Sequence, residues 1–263
     1  MLKRELKINF KSLIIWSTIA ISLCLIVFLV YPSIINSDSH QSMDEMLKMF
    51  PDEVLKAFNM DITGIDSVFG WFKTEGAMFI AIIGGLYSSI LGATILVKEE
   101  NDKTIEFLYS KPVKRSNIVT AKIVTGIVNI FIFTTIVTIF NLCGMAASND
   151  LDLVPFLLIT VSPIFIYYML FFISLFISTF LRKTKQAMSI GIAVVFISYF
   201  LQMIGNMSES IEFIKYFSVF EFVSTRYIIL NNSLDMKYIL IGLGIIALCI
   251  FGTYKNYRRK ELV

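Results

Sequence analysis

Six stretches of this chain carry no charged side chain at all: residues 12–31, 76–97, 123–148, 153–181, 186–207 and 238–254. Every Lys, Arg, Asp and Glu lies between or outside them. A helix needs about 20 apolar residues to cross the hydrocarbon core of a bilayer. In lipid, only a helix or a closed barrel satisfies its own backbone hydrogen bonds. The runs are too long and too continuous for barrel strands, so the sequence predicts an all-α membrane protein with six transmembrane helices. Composition agrees, with 56% hydrophobic residues, 24 Phe and a mean hydropathy of +0.76, all beyond a soluble domain of this length.

The charges fix an orientation. Counting alternate sides, one face receives 17 of the 23 Lys and Arg residues but 6 of the 20 acidic ones, which makes it +11 against −8 on the other. Lys and Arg excess stays on the cytoplasmic side, so both the N- and C-termini are expected there. Residues 1–11 set Lys3, Arg4, Lys7 and Lys11 against Leu2, Leu6 and Phe10 at helical spacing. They are read either as an interfacial helix on the inner leaflet or as the basic flank that orients the first span. Residues 33–74 and 208–237 become outer loops with short interfacial helices. The first is read from Met43, Met46, Leu47, Phe50, Val54 and Phe58, the second from Phe213, Tyr216, Phe217, Phe220, Phe222 and Tyr227. Trp71 and Phe72 suit an outer aromatic belt.

Within the spans, Gly84, Ser88 and Gly92, with Gly85, Ser89 and Ala93 one residue behind, form two stripes of small residues that allow close helix packing. Pro163 predicts a kink in the fourth span. Asn129, Thr134, Thr135, Thr138 and Asn141 place polar groups in the third span; they either bond to a neighbouring helix or line a path for substrate. Pro32 marks the outer end of the first.

The densest information lies between the second and third spans, at Lys98 to Lys122. Ile105, Leu108 and Tyr109 fall on one face of a short helix that Asp102 is placed to cap and Pro112 to stop. Such a helix lies on lipid headgroups, folds against its own bundle, or inserts into a soluble partner. The acidic pair Glu99-Glu100, the run Lys103-Thr104-Ile105-Glu106-Phe107-Leu108, and Ser110-Lys111-Pro112-Val113-Lys114-Arg115 closing on Ala121-Lys122 resemble the signature of the ABC-2 family of ABC transporter permeases. Lys103 departs from it, standing where the family carries a Gly.

The resemblance implies the ABC-2 (type V exporter-like) permease architecture, with residues 98–122 as the cytoplasmic coupling segment that inserts into an ABC ATPase subunit. By that analogy Ile105, Phe107 and Leu108 pack into the ATPase. Glu99, Glu100 and Glu106 meet its basic rim, Thr104 opens the helix, and Pro112 and Arg115 fix the returning turn. It further implies a dimer with a second permease copy or a paralogue, and outward movement of a peptide, antibiotic or lipid-like cargo. The competing reading is a non-transporting scaffold or sensor that holds a cytoplasmic partner through the same segment.

The residues also exclude classes. No GxxxxGK[ST] loop is present, so no cofactor is expected in this chain, and ATP and Mg belong to the partner ATPase. The single histidine, His40, and the three cysteines Cys24, Cys143 and Cys249, each in a different apolar run, form no metal or disulfide pattern. The basic residues sit at membrane edges, which argues against nucleic acid as a partner.

Overall fold

The computed structural model describes residues 2–35, 49–58, 67–102, 114–148 and 151–260. In chain order the helices are α1 (Leu2–Ile35), α2 (Asp52–Ala57), α3 (Val68–Trp71), which passes through a π-helical turn at Phe72–Gly76 into α4 (Ala77–Ile95), α5 (Lys98–Asn101), α6 (Arg115–Ala147), α7 (Leu153–Val161), α8 (Pro163–Ser178), α9 (Thr184–Met207), α10 (Thr225–Asn231) and α11 (Met236–Arg259). Two 3-10 segments, Glu209–Phe217 and Val219–Val223, lie between α9 and α10. No strand occurs among the described residues. Six stretches are long and apolar enough to cross a membrane: Leu2–Tyr31, Val68–Ile95, Arg115–Ala147, Leu153–Ser178, Thr184–Met207 and Met236–Arg259.

The helices overrun the charge-free stretches. Residues 2–11 continue straight into the first span and do not turn off as a separate interfacial helix; the same helix carries on through Pro32 to Ile35. The second span begins at Val68, where Ser67 accepts a hydrogen bond from the Gly70 N–H at 2.9 Å and caps the turn. Its π turn puts Phe72, which is fully buried, in a stack between Phe28 and Phe156, with ring centroids 5.7 and 5.9 Å away. Phe72 is thus a core residue and not part of an outer aromatic belt. The third span begins at Arg115, with Lys114 in the cap position and no side chain capping it.

The expected break in the fourth span is present. Pro163 has no N–H to offer the carbonyl four residues back, so α7 ends at Val161 and α8 restarts with Pro163 in its first turn. The hydroxyl of Ser162, in the gap, donates to the Leu158 carbonyl oxygen.

The centre of the bundle is α4 against α8, with α9 alongside. Both small-residue stripes are used there, inside the chain. At Gly92 an added Cβ would meet the backbone of Phe171, carbonyl oxygen first, and at Gly84 it would meet the Tyr167 ring. The second stripe faces both α8 and α9: the Ser89 hydroxyl lies 2.6 Å from the Ser174 hydroxyl of α8 and donates to the Gly191 carbonyl oxygen of α9 at 2.8 Å, and Ala93 abuts Gly191. Tyr167, also buried, donates to the Ile80 carbonyl oxygen at 2.6 Å.

At the acidic end, Val219–Val223 is buried whole. Ser218 anchors it by donating to the Ser198 carbonyl oxygen at 2.6 Å, and Phe220 packs edge-on to Tyr199. The segment brings Glu221 with it, 3.6 Å from Lys215. Burial pushes the Glu221 carboxyl above the usual carboxylate range, against the opposing pull of Lys215 and of the Gln202 amide. Of the amphipathic helix expected in the first outer loop, Asp52–Ala57 is observed; Met43, Met46 and Leu47 lie outside the described residues.

Candidate functional site

The basic end of the bundle gathers the sequence's most informative residues. Helix α4 ends at Ile95, and α5 sets the acidic pair on two different sides. Glu99 turns inward: both of its carboxylate oxygens accept from Lys122 Nζ, at 2.6 and 2.7 Å. Lys122 is 1% exposed and also donates to the Ile95 carbonyl oxygen at 2.5 Å. Glu5, 3% exposed, lies with its second carboxylate oxygen 3.6 Å from the same ammonium, and its first has no hydrogen-bond partner. One buried cation therefore serves two carboxylates, and three helices, α1, α5 and α6, meet at it.

Glu100 turns the other way. Its side chain, 5% exposed, accepts from Lys260 Nζ at 2.7 Å. Arg115, on the returning limb, donates to the backbone carbonyl oxygens of Arg258 and Lys260 at 3.1 and 2.9 Å. The carboxylates of Glu99 and Glu100, expected to face a partner's basic rim, are both taken by cations of this same chain. Thr104, Ile105, Glu106, Phe107, Leu108 and Pro112 lie outside the described residues. Asp102 closes α5 at its C-terminal end.

Sequence reasoning counted Glu5 and Lys260 as flank charges and named Lys122 only as the residue on which the ABC-2-like stretch closes; it gave none of the three a partner. A signal was available. On a strongly basic face the few acids, here Glu5, Glu99 and Glu100, are the residues whose partners decide how the limbs pack.

The sequence has a known family. The family profile described as ABC-2 family transporter protein matches residues 1–262. The chain belongs to the ABC-2 family. No curated protein and no solved structure matches it. ABC-2 permeases work in a membrane with ABC ATPase subunits, and the six apolar helices together with the family make this a multi-pass plasma-membrane protein.

In this ABC-2 permease the polar residues of α6 bond mainly along their own helix. Asn129, buried, donates to the Thr125 carbonyl oxygen at 2.8 Å; Thr134 donates to Ile130 at 3.0 Å and Asn141 to Val137 at 2.9 Å. Each bonds back four residues along its own helix, the local competition that Ser, Thr and Asn side chains offer the backbone. Two of the four also reach another helix: Thr138, at 3.5 Å from the Thr160 carbonyl oxygen, and Asn141, in hydrogen-bonding contact with the Cys24 thiol of α1. A cavity does open at the basic end, between α1, α4, α5 and α9, lined by Glu5, Asn9, Ser12, Thr94, Glu99 and Thr184 among others. None of the four α6 residues lines it.

Proposed function

We propose that this permease is the membrane subunit of an ATP-driven exporter, with the basic end of its bundle in the cytoplasm and residues 98–122 as the contact for the ATPase. The observation that carries the reading is the Glu99–Lys122 pair. It joins the end of the second span to the start of the third, the two elements that flank residues 103–113 in the chain. A segment that passes force to the spans needs such a mount, because a loop on flexible limbs would absorb the movement. ATP and Mg bind in the partner, and nucleotide acts by favouring one of two arrangements of the bundle. Ile105, Phe107 and Leu108 make the apolar contact, with Glu106 on its rim. Glu99, Glu100 and Arg115 hold the base of the segment instead of touching the partner.

The cargo is amphipathic or hydrophobic: a peptide, an antibiotic or a lipid-like molecule, moved outward. Support comes from an interior packed with Phe and Tyr rings, in which Lys73 and Glu75 lie in the π turn near the acidic end. A second permease copy or a paralogue completes the path.

Two experiments test this. Leu108→Asp is expected to abolish recovery of an ATPase with the permease in mild detergent, because an apolar groove leaves a carboxylate unpaired, while membrane insertion is unchanged. Undiminished recovery of the ATPase would sink the docking assignment, and recovery of no ATPase by the wild-type chain would leave the scaffold reading. For orientation, Cys24, Cys143 and Cys249 are replaced by Ser, and single cysteines are placed at the exposed Ser233 and Lys183. An impermeant maleimide added to intact cells is expected to label the first and to reach the second only after permeabilisation. The reverse pattern would invert the topology.

A further inference from the structure

Both limbs of the 98–122 segment are held by one short stretch at the end of α11. On the outgoing limb, Lys260 Nζ donates to Glu100 at 2.7 Å and, with another of its protons, to the Leu181 carbonyl oxygen at 2.6 Å. On the returning limb, Arg115 donates to the carbonyl oxygens of Arg258 and Lys260. Above this level the Thr120 and Tyr254 hydroxyls lie 2.6 Å apart, and Asn256 donates to the Thr179 hydroxyl at 2.7 Å. The end of α11 thus touches the outgoing limb, the returning limb and the turn between the fourth and fifth spans.

Orientation in the membrane does not require this. Any basic flank satisfies it, and Lys255, Arg258 and Arg259 are exposed and serve. Lys260 differs. Its side chain is 11% exposed and its carboxylate partner 5%, so this pair, like the Glu99–Lys122 pair beside it, is largely withdrawn from water.

We propose that Lys260 is a positioning residue whose side chain staples the outgoing limb of the ATPase-contacting segment to the last helix and to the Leu181 turn, beside the backbone bonds that Arg115 makes from the returning limb. The inner pair, Glu99–Lys122, links α5 to α6. The staple adds α11 and the Leu181 turn, so that a displacement of the segment is shared by the second, third and sixth spans and by the turn between the fourth and fifth. Without it the segment still docks, but part of the movement is lost at its base. The inference rests on reading residues 98–122 as the ATPase contact.

The test uses the full permease purified with the ATPase it recovers from its host membrane, identified by mass spectrometry as carrying a phosphate-binding loop. Two quantities are measured: ATPase recovered per permease, and ATP hydrolysis per recovered ATPase. Lys260→Ala is expected to leave recovery unchanged and to lower hydrolysis by at least about fivefold, the lower end of the usual range for coupling between sites. Lys260→Arg, which keeps donors for both Glu100 and the Leu181 carbonyl, is expected to retain most of it. The exchange of Glu100→Lys with Lys260→Glu is expected to recover a substantial part, since it restores the pair while each single change places like charges together. A merely structural role would lower yield and recovery together and leave hydrolysis per recovered ATPase at the wild-type value. That result overturns the staple, as does a charge exchange no better than its single components. If the wild-type chain recovers no ATPase, the underlying reading falls and the staple with it; if it does and Lys260→Ala hydrolyses normally, the staple alone falls.

Discussion

Lys122→Met is expected to be among the most damaging single changes in this permease, lowering its resistance to unfolding by about 3–5 kcal/mol. The reason is what the change leaves behind. Lys122 is enclosed by Glu99, Glu5 and the Ile95 carbonyl oxygen, and a buried ion pair of this kind adds little net stability against an apolar replacement of the whole set. Removing the cation alone strands two largely buried carboxylates side by side at the edge of the basic-end cavity, with no cation between them. Glu99→Gln is expected to do less harm, because Lys122 keeps Glu5 and the Ile95 carbonyl and the amide oxygen still accepts. Combining Lys122→Met with Glu99→Leu is expected to recover much of the loss, since it removes one stranded charge with the cation. Denaturant unfolding in detergent, followed by helicity, measures all three. A single Lys122→Met no less stable than wild type would show that the three groups are not coupled as drawn.

Gly92→Ala is expected to destabilise by about 1–3 kcal/mol, the range for forcing a methyl group into a filled interior. In most helices the same change helps by about 0.5–1 kcal/mol, because it removes backbone freedom from the unfolded chain. Here the new Cβ would land on the Phe171 backbone, which has no rotamer to give way, so α4 and α8 must separate along the buried face that also carries Tyr167 and Ser174. Gly244 is the internal control. Nothing lies within 4 Å of an added Cβ there, and Gly244→Ala is expected to be neutral or mildly stabilising. Unfolding midpoints for the two variants on one detergent background decide the matter; equal effects would mean that the closeness at Gly92 carries no energetic weight.

How much of this was legible in the sequence differs by physical cause. The number of spans was legible because hydropathy reports directly on contact with lipid, and the stripes in α4 because small residues at every fourth position have little other use in an apolar helix. Helix ends were not. Hydropathy marks where lipid stops, while residues 2–11 and 115–122 remain helical beyond it because their backbone bonds have no reason to break there. The π turn at Phe72 also left no signature, since it follows from a ring finding its place between Phe28 and Phe156. Least visible was the site itself. Glu5 and Lys122 are joined by a contact that no periodicity encodes; the charge count that oriented the chain took Glu5 as flank and Lys122 as one more cation of the 98–122 segment.

The hydrogen bonds of α6 differ from those of its neighbours. At membrane depth most of its polar side chains bond to its own carbonyl oxygens, and its bonds to α7 and α8 are long: 3.5 Å from Thr138 to Thr160 and 3.3 Å from Tyr168 to Ile127. Across α4, α8 and α9 the corresponding bonds are 2.6–2.8 Å. Within the apolar core α6 is therefore held mainly by dispersion contacts between side chains, each small and large only in sum, whereas α4, α8 and α9 add directional hydrogen bonds to theirs; its short polar bonds to other elements, from Lys122, Thr120 and Arg115, are gathered at the basic end.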